Sequence, residues 1–420
     1  MNITRKISAV SLFTAAALTL AACGTDNNST AGSSSTSSVA SSVAASSAAD
    51  MSSSAPASSS AASSSAPASS SAASSSAPAS SSSASSSAPS SAATADFPCA
   101  TGDLRSSGST AQGKVMEEWI LAFNAKCGAN VNQYGGGGSG KGITDFIGNQ
   151  VDFAGSDSSL KPEQAASAKT DRCQGADAIN LPLVTGPIAL AYNLPGVDKL
   201  VLDGPTLAGI FAGTITTWND PAIAKLNSGA TLPSTTIQSV HRAEDSGTTE
   251  NFTKYLKAAS AGAWTFDPAK AWAAPGGIAA QASDGVAQEV KGREGSIGYL
   301  EWGYATDNKL SVAQINDGSG PVELTGESAG KAVAAAKVVG TGADLALKLD
   351  YATKEAGAYP IILVTYEIVC STGNGDKLPL IKSFLGYAAT EGQAVLASVG
   401  AAPLPAEIQA KVIASIQGLK

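Results

Sequence analysis

The stretch Arg242-Ala243-Glu244-Asp245-Ser246-Gly247-Thr248-Thr249-Glu250-Asn251-Phe252 decides how the rest of the chain is interpreted. It follows a short β-type run at 237–240 and leads into an amphipathic helical pattern, with Ser246 in a position to cap that helix. A strand end, a glycine-containing turn and a helix start bring backbone N–H groups, hydroxyls and one guanidinium together, and this set of donors suits a tetrahedral oxyanion. An ordinary capped helix is the alternative, and this stretch alone does not exclude it.

The same strand–turn–helix pattern occurs twice earlier in the chain. Ser109, Thr110 and Ala111 follow one strand and open an amphipathic helix. The glycine-rich loop 135–142, which contains Ser139, looks like a Walker A loop until its last position. Gly142 stands where a Ser or Thr hydroxyl would bind Mg²⁺, so a nucleotide site is not expected. Without that chemistry the loop is still a cradle for an anion.

A carboxylate stands at the next strand end. Asp157 closes the stretch 151–157, which has the pattern of a strand and turn. A carboxylate accepts hydrogen bonds, so it would repel a fully deprotonated anion and attract one that still carries a proton. HPO₄²⁻ carries a P–OH group and sulfate does not. The sequence therefore predicts that Asp157, if it joins an anion site, selects against sulfate.

Two long β-rich runs, 179–193 and 359–370, bracket a central block of the chain. This pattern indicates an α/β protein of two domains joined by a two-stranded hinge. In open α/β sheets the ligand crevice lies at the carboxyl ends of the strands. Three such ends carry hydroxyls and free backbone donors, so the sequence predicts an oxyanion site between the domains.

The first hundred residues are of a different kind. A basic start, an apolar stretch at 9–20 and small residues before Cys23 predict an export signal at 1–22, with cleavage before Cys23 and lipidation of its thiol. The alternative is an ordinary secretory signal in which Cys23 is incidental. Residues 25–97 are nearly all Ser, Ala and Pro, which predicts a disordered tether at 23–97.

Four cysteines remain in the globular part, and an even number in an exported protein predicts two disulfides. Four cysteines allow three pairings. A strand followed by a returning helix brings Cys99 and Cys127 together, so we favour Cys99–Cys127 and, by elimination, Cys173–Cys370. A four-cysteine zinc site is the alternative, but the chain has no Cys-x-x-Cys pair. The formal net charge of −8 argues against nucleic acid as a partner.

Together these residues resemble the PstS family, the phosphate-binding components of the high-affinity phosphate ABC transporters, and the resemblance covers 99–420. It is most like the actinobacterial lipoprotein branch. It implies the two-domain type II fold of the periplasmic binding proteins, with domain I at 98–184 and 360–420 and domain II at 185–359. The segments that carry it are 108–110, 138–140, 152–157 and 242–249, together with 202–207, 213–220 and 295–299.

The resemblance also implies a role for each site residue. Donors to phosphate would be the Thr110 hydroxyl, the backbone N–H of Ala111, Ser139, the Arg242 guanidinium, and Ser246, Gly247 and Thr248 from the second domain, while Asp157 would accept the ligand's proton. The family pattern has Phe where this chain has Ala111, so only the main-chain contact carries over. The resemblance does not decide whether Ser109 and Gly140 contact phosphate directly. Lys141 is interpreted as a charge at the rim of the site.

The resulting prediction is a monomeric, lipid-anchored receptor outside the cell membrane that delivers phosphate to an ABC permease, without a cofactor or a metal. Two alternatives were weighed. A phosphatase-type enzyme would need a base or a metal site, and the single histidine, His241, has no neighbouring Cys or His. A receptor for another tetrahedral oxyanion would not need the acceptor Asp157.

Overall fold

The computed structural model describes residues 96–420. The predicted export signal, the lipidated Cys23 and all but the end of the tether lie outside these residues. Within 96–420, no helix combines the length and the apolar character that crossing a membrane requires.

The elements follow one another in a mixed α/β order. The strands are β1 (Asp103–Leu104), β2 (Ser106–Gly108), β3 (Asn130–Val131), β4 (Gly135–Gly137), β5 (Phe153–Ser156), β6 (Ala178–Asn193), β7 (Val201–Leu202), β8 (Gln238–Arg242), β9 (Ile278–Ala280), β10 (Ser296–Glu301), β11 (Ser311–Val312), β12 (Gln314–Asn316), β13 (Pro321–Val322), β14 (Lys337–Val338), β15 (Leu347–Lys348) and β16 (Ile362–Cys370). The α-helices are α1 (Gly113–Cys127), α2 (Ser139–Ile147), α3 (Pro162–Ser167), α4 (Gly204–Phe211), α5 (Pro221–Leu226), α6 (Gly247–Ala259), α7 (Ala282–Gly292), α8 (Trp302–Asp307), α9 (Gly326–Ala334), α10 (Leu378–Ala389) and α11 (Ala406–Gln417). Shorter helical turns span Thr110–Gln112, Ala168–Arg172, Gly375–Lys377 and Glu391–Val399.

One nine-stranded sheet runs through the described part of the chain in the order β4-β2-β5-β16-β6-β10-β8-β9, with β11 added beside β6. Strands β4, β2 and β5 are parallel to one another, and so are β10, β8 and β9. Strands β6 and β16 form the antiparallel centre between these two groups. This is the mixed α/β architecture of a two-domain type II fold, as the sequence indicated.

Strands β6 and β16 connect two hydrophobic cores. The first half of β6 packs in one core with α1, α10 and α11, whereas Ile188–Tyr192 belong to a second core with α4, α6 and α7. Tyr359, Ile361 and Leu363 lie in the second core and Val369 lies in the first. Both strands are buried along almost their whole length, which explains their continuous apolar sequences. We call the parts around the first and second cores lobe I and lobe II.

The segment of β14 and β15 packs differently from its neighbours in sequence. Leu345 belongs to the core of lobe I, and Val338 and Leu347 pack against it. The side chain of Asp344 accepts hydrogen bonds from both nitrogens of Asn180, at 2.7 Å each. This segment, which lies in the range assigned to domain II from the sequence, therefore contributes to the core of lobe I.

A register shift interrupts the pairing of β6 with β16 between Thr365 and Tyr366. Val184 pairs with Thr365 and Pro182 pairs with Tyr366, so Leu183 is the extra residue. Proline has no N–H to donate to a ladder, and bulges are common beside binding sites because they redirect side chains. Here the shift lies beside Thr365, whose hydroxyl donates to Asp157.

Two disulfides brace lobe I, Cys99–Cys127 and Cys173–Cys370, which are the pairs favoured from the sequence. Cys173 and Cys370 are buried in a small apolar cluster with Phe146 and Ile368. The second disulfide therefore joins the end of β16 to the segment that precedes β6.

Glu367 buries a carboxyl group on β16. Within 96–420, neither of its side-chain oxygens has a hydrogen-bond partner, and the side-chain oxygen of Gln112 has none either. Burial raises the pKa of Glu367 from 4.5 to about 8, so the folded protein holds this carboxyl protonated at neutral pH.

Glu367→Gln is expected to raise the free energy of unfolding at pH 7 by about 3 kcal/mol. A raised folded-state pKa gives stability that is fully present below pH 4.5 and is lost as the pH rises towards about 8. Glutamine does not have to be protonated, and its amide can donate to Gln112. Urea unfolding at several pH values between about 4.5 and about 8 should therefore show that the free energy of unfolding falls less steeply with pH in Glu367→Gln than in the parent protein. The exposed Glu294→Gln is the control, and equal stability of the two variants at pH 7 would contradict the prediction.

Candidate functional site

The strand ends that carry the predicted site residues face one another across a closed cleft. The N–H of Gly140, from lobe I, donates to the carbonyl of Asp245, from lobe II, at 3.0 Å. Gly247 lies so close to lobe I that a Cβ atom on it would come within 2.4 Å of the Ser139 hydroxyl and 2.5 Å of Asp157. Only glycine permits this approach of the two lobes.

Arg242 supplies the cation of the cluster and is only 2% exposed. Its Nη2 donates to the Thr110 hydroxyl at 2.8 Å, which is a contact between the lobes. Its Nη1 lies 3.3 Å from the hydroxyls of both Thr248 and Ser283. Its Nε donates to Glu244 at 2.8 Å, and this ion pair holds the guanidinium in place.

Asp157 supplies a carboxylate from lobe I and is 3% exposed. It accepts from Ser109 at 2.6 Å, from Thr365 at 2.7 Å and from Ser139 at 3.1 Å. Burial raises its pKa to about 6, although the hydroxyl donors oppose that shift, and the charge of Glu301 adds to it. The carboxylate is thus held ionised at neutral pH by hydroxyls rather than by a salt bridge.

The remaining predicted residues lie at the same place. Ser246 caps α6 by accepting from the N–H of Thr249 at 3.3 Å, which is the cap that the sequence indicated. The N–H of Ala111 donates to the Ser109 hydroxyl at 3.1 Å. All eight residues assigned to phosphate from the sequence are therefore gathered around one cleft. Their contacts to phosphate stay a prediction.

Four further residues belong to this cluster and were not found from the sequence. Thr365 reaches Asp157 from the hinge strand, and Glu244 pairs with Arg242. Ser283 lies 3.0 Å from the Thr110 hydroxyl, and Glu301 accepts from the Thr248 hydroxyl at 2.5 Å. Ser283 is the second residue of α7, which follows β9 after one residue, so a fourth strand–turn–helix pattern could have revealed it.

Three further residues that were considered from the sequence are not among the predicted phosphate contacts. Lys141 pairs with Asp145 and its side chain is half exposed, in keeping with a rim charge. His241 bonds the carbonyl of Arg242 through Nδ1 at 2.9 Å and stacks on Trp272 at 5.0 Å. Gly142 packs against the backbone of Gly108, where a Cβ atom would come within 2.6 Å, so larger residues do not fit.

Among the described residues, no group of three His, Cys, Asp or Glu could hold a metal ion.

This arrangement is suited to holding an oxyanion. A guanidinium and several hydroxyls offer donors, a buried carboxylate offers an acceptor, and the closed lobes exclude water, which strengthens each hydrogen bond. A cleft between two lobes joined by two hinge strands and lined in this way defines a solute-binding protein of the type II class.

Comparisons with known proteins agree with that class. Residues 19–391 match the model of the PBP superfamily domain. Phosphate-binding protein PstS 2 of Mycobacterium tuberculosis is 43% identical over 323 residues, covering 76% of this chain and 87% of the relative. Phosphate-binding protein PstS of Xylella fastidiosa is 33% identical over 298 residues, covering 69% and 78%.

A solved structure shares the fold. It is a high-affinity periplasmic phosphate-binding protein, PfluDING, bound with phosphate at pH 8.5. It superposes with a TM-score of 0.62 at 24% sequence identity and covers 74% of this chain and 93% of its own. The protein described here belongs to the PstS family of phosphate-binding proteins.

Proposed function

We propose that this protein binds inorganic phosphate in the cleft between its lobes and delivers it to the membrane subunits of an ABC permease. The observation that carries the proposal is that one buried guanidinium, Arg242, and one buried carboxylate, Asp157, lie at the same closed cleft among hydroxyls of both lobes. The names of the relatives support the same ligand.

The proposed contacts are sufficient for tight binding of phosphate. They come from one acceptor, Asp157, and from the donors Thr110, Ala111, Ser139, Arg242, Ser246, Gly247 and Thr248. Roughly a dozen hydrogen bonds at about 1 kcal/mol net each, with the guanidinium in addition, exceed the cost of ordering the ligand and closing the lobes. Micromolar or tighter affinity, about −8 kcal/mol or stronger, is the expected result.

A binding role, rather than catalysis, fits the chemistry of the site. The single histidine bonds a backbone carbonyl and stacks on a tryptophan. The relatives carry the names of binding proteins. A phosphatase would be revealed by release of phosphate from a phosphomonoester under the conditions of the binding titration.

The proposal places the protein outside the cell membrane as a monomer, attached through a lipid on Cys23 and extended by the tether at 23–97. The sequence of the signal region supports this anchor. Mass spectrometry of the mature N-terminus tests it. A diacylglyceryl Cys23 is expected, and an unmodified N-terminus beyond that residue would contradict the anchor.

Asp157→Asn is expected to relax the discrimination between phosphate and sulfate by at least about tenfold. The amide can donate a hydrogen bond where the carboxylate can only accept, so an anion without a proton no longer meets an unpaired acceptor. Competition binding with both anions measures the ratio of affinities. Asp145→Asn, which changes a carboxylate at the rim, is the control. Unchanged selectivity in Asp157→Asn would remove Asp157 from its assigned role.

A further inference from the structure

An ion pair of lobe II is buried against lobe I beside the proposed phosphate site. Glu250 lies in the first turn of α6, and Lys270 lies in the loop between α6 and β9. Their charged atoms are 2.8 Å apart, and each side chain is 9% exposed. Ser158, which follows β5 in lobe I, is also buried and contacts both charges. None of these three residues is among the proposed phosphate contacts.

The Ser158 hydroxyl is inserted between the two charges. It accepts a hydrogen bond from Lys270 Nζ at 2.7 Å and donates one to Glu250 Oε2 at 2.8 Å. A hydroxyl has one proton and two lone pairs, so it makes both bonds at once. Hydrogen bonds to ionised groups are roughly twice as strong as those between neutral groups. We call this set of Ser158, Glu250 and Lys270 the interlobe clasp.

The carboxylate of the clasp is ionised at neutral pH. Its other oxygen pairs with Lys254 at 2.9 Å, so Glu250 faces two ammonium groups. Burial raises the pKa of Glu250, but the charges of the two lysines outweigh it and lower the pKa to about 2. The clasp therefore needs no change of protonation to form or to break near neutral pH.

The clasp distinguishes the closed lobes from open ones. Glu250 and Lys270 belong to the same lobe, so their ion pair does not depend on closure, whereas both bonds of Ser158 do. In the closed cleft the hydroxyl takes the place of water that would otherwise solvate the two charges. A buried charge that loses a partner costs free energy, and here that cost falls on the closed state alone. The Ser158 hydroxyl therefore stabilises the closed lobes without being a proposed phosphate contact.

Helix α6 couples the clasp to the phosphate site. The helix begins with proposed phosphate contacts of lobe II, and Glu250 follows in the same turn. Its neighbour Asn251 donates to the backbone carbonyl of Asp157 at 2.7 Å, so adjacent residues of α6 hold adjacent residues of lobe I. The carbonyl of Lys270 accepts from the N–H of Ser246, the cap of α6, at 3.1 Å. Separation of the lobes at α6 therefore breaks the clasp.

We propose that the interlobe clasp sets how long phosphate stays bound, because it must break before the lobes separate. Ser158, Glu250 and Lys270 are positioning residues that act on lobe closure. Affinity differences among variants of one interface are mostly differences in the dissociation rate, and the clasp acts on that rate. This inference rests on the proposed function and adds to it the residues that control release of the ligand.

The test separates release of phosphate from its capture by the purified full-length protein. Bound radiolabelled phosphate is chased with an excess of unlabelled phosphate and followed by rapid filtration, which gives the dissociation rate. Calorimetric titration gives the dissociation constant, and the two values together give the association rate. In Ser158→Ala the dissociation rate is expected to rise about tenfold, because two charge-assisted bonds are lost from the closed state. The association rate is expected to change by less than about twofold, since capture begins in the open state.

Further variants complete the experiment. Ser159→Ala removes the hydroxyl of the next residue, which is outside the clasp, and is expected to release phosphate at the parent rate. Lys270→Met keeps the apolar stem but removes the ammonium group, and it is also expected to speed release, which gives a second readout if Ser158→Ala folds poorly. In the double variant, loss of the Ser158 hydroxyl is expected to speed release by less than about threefold beyond Lys270→Met, because the two residues share one contact. A purely structural effect of Ser158 on its own loop would add in full.

Each outcome decides between these explanations. Faster release with unchanged capture in Ser158→Ala or Lys270→Met, together with the parent rate in Ser159→Ala, supports the inference. Parent-like release in both clasp variants, slower capture in place of faster release, or full additivity in the double variant overturns it while phosphate binding stands. Absence of phosphate binding to the parent protein overturns the proposed function and the inference with it.

Discussion

Replacing Arg242 by alanine is expected to weaken phosphate binding by about 4 kcal/mol, which is roughly a thousandfold. The guanidinium is buried and reaches the Thr110 hydroxyl of the other lobe at 2.8 Å. Its loss removes the charge that attracts the anion and a bond that closes the cleft. It also leaves Glu244 without its cation, so that a carboxylate then repels the ligand. Isothermal titration with phosphate measures the loss.

Two further substitutions show whether charge or geometry carries this effect. Arg242→Lys keeps the charge, but the single ammonium nitrogen of lysine cannot contact Glu244, Thr110 and Thr248 at the same time. About half of the loss of binding free energy seen in Arg242→Ala is therefore expected. Arg293→Ala removes an exposed arginine that pairs with Glu289 on the surface, and it should bind phosphate like the parent. Near-native affinity in Arg242→Ala would exclude Arg242 from the binding site.

Removal of the Cys173–Cys370 disulfide, by alanine at both positions, is expected to lower the free energy of unfolding by about 5 kcal/mol. The bond closes a loop of 197 residues that contains all of lobe II. In the chain-entropy model a longer loop loses more freedom in the unfolded state, so its crosslink stabilises more. Denaturant unfolding, followed by tryptophan fluorescence, measures the change.

The other disulfide is the matched control. Cys99–Cys127 closes a loop of only 28 residues, so alanine at both positions should cost less, about 3.5 kcal/mol. Both losses are measured without a reductant, on proteins of the same preparation. Equal losses for the two pairs, or a smaller loss for Cys173–Cys370, would contradict the loop-length explanation.

Local sequence patterns were enough to predict most of the residues that the structure brings together at the cleft. Ser109, Ser139, Asp157 and Ser246 each stand where a strand ends and a turn or helix begins, and that geometry is encoded by neighbouring residues. The two hinge strands were predicted from two long β-rich runs. Strands that are buried on both faces have nearly continuous apolar sequences, so such runs are recognisable. The α/β class followed from the same alternation of strands and helices.

The residues that were missed depend on contacts between distant parts of the chain. Thr365 lies within the apolar run of β16, 208 positions from Asp157, and only the register shift beside it turns its hydroxyl into the site. Glu301 reaches Thr248 because β10 pairs in parallel with β8, an alignment that neither segment specifies alone. The packing of Leu345 in the core of lobe I likewise depends on tertiary contacts.

The most direct test of the account is a calorimetric titration of the purified protein, freed of bound ligand, first with phosphate and then with sulfate. The account predicts micromolar or tighter binding of phosphate and no heat from sulfate. Comparable binding of the two anions would contradict selection by a buried acceptor, and no heat from either would contradict the phosphate site itself.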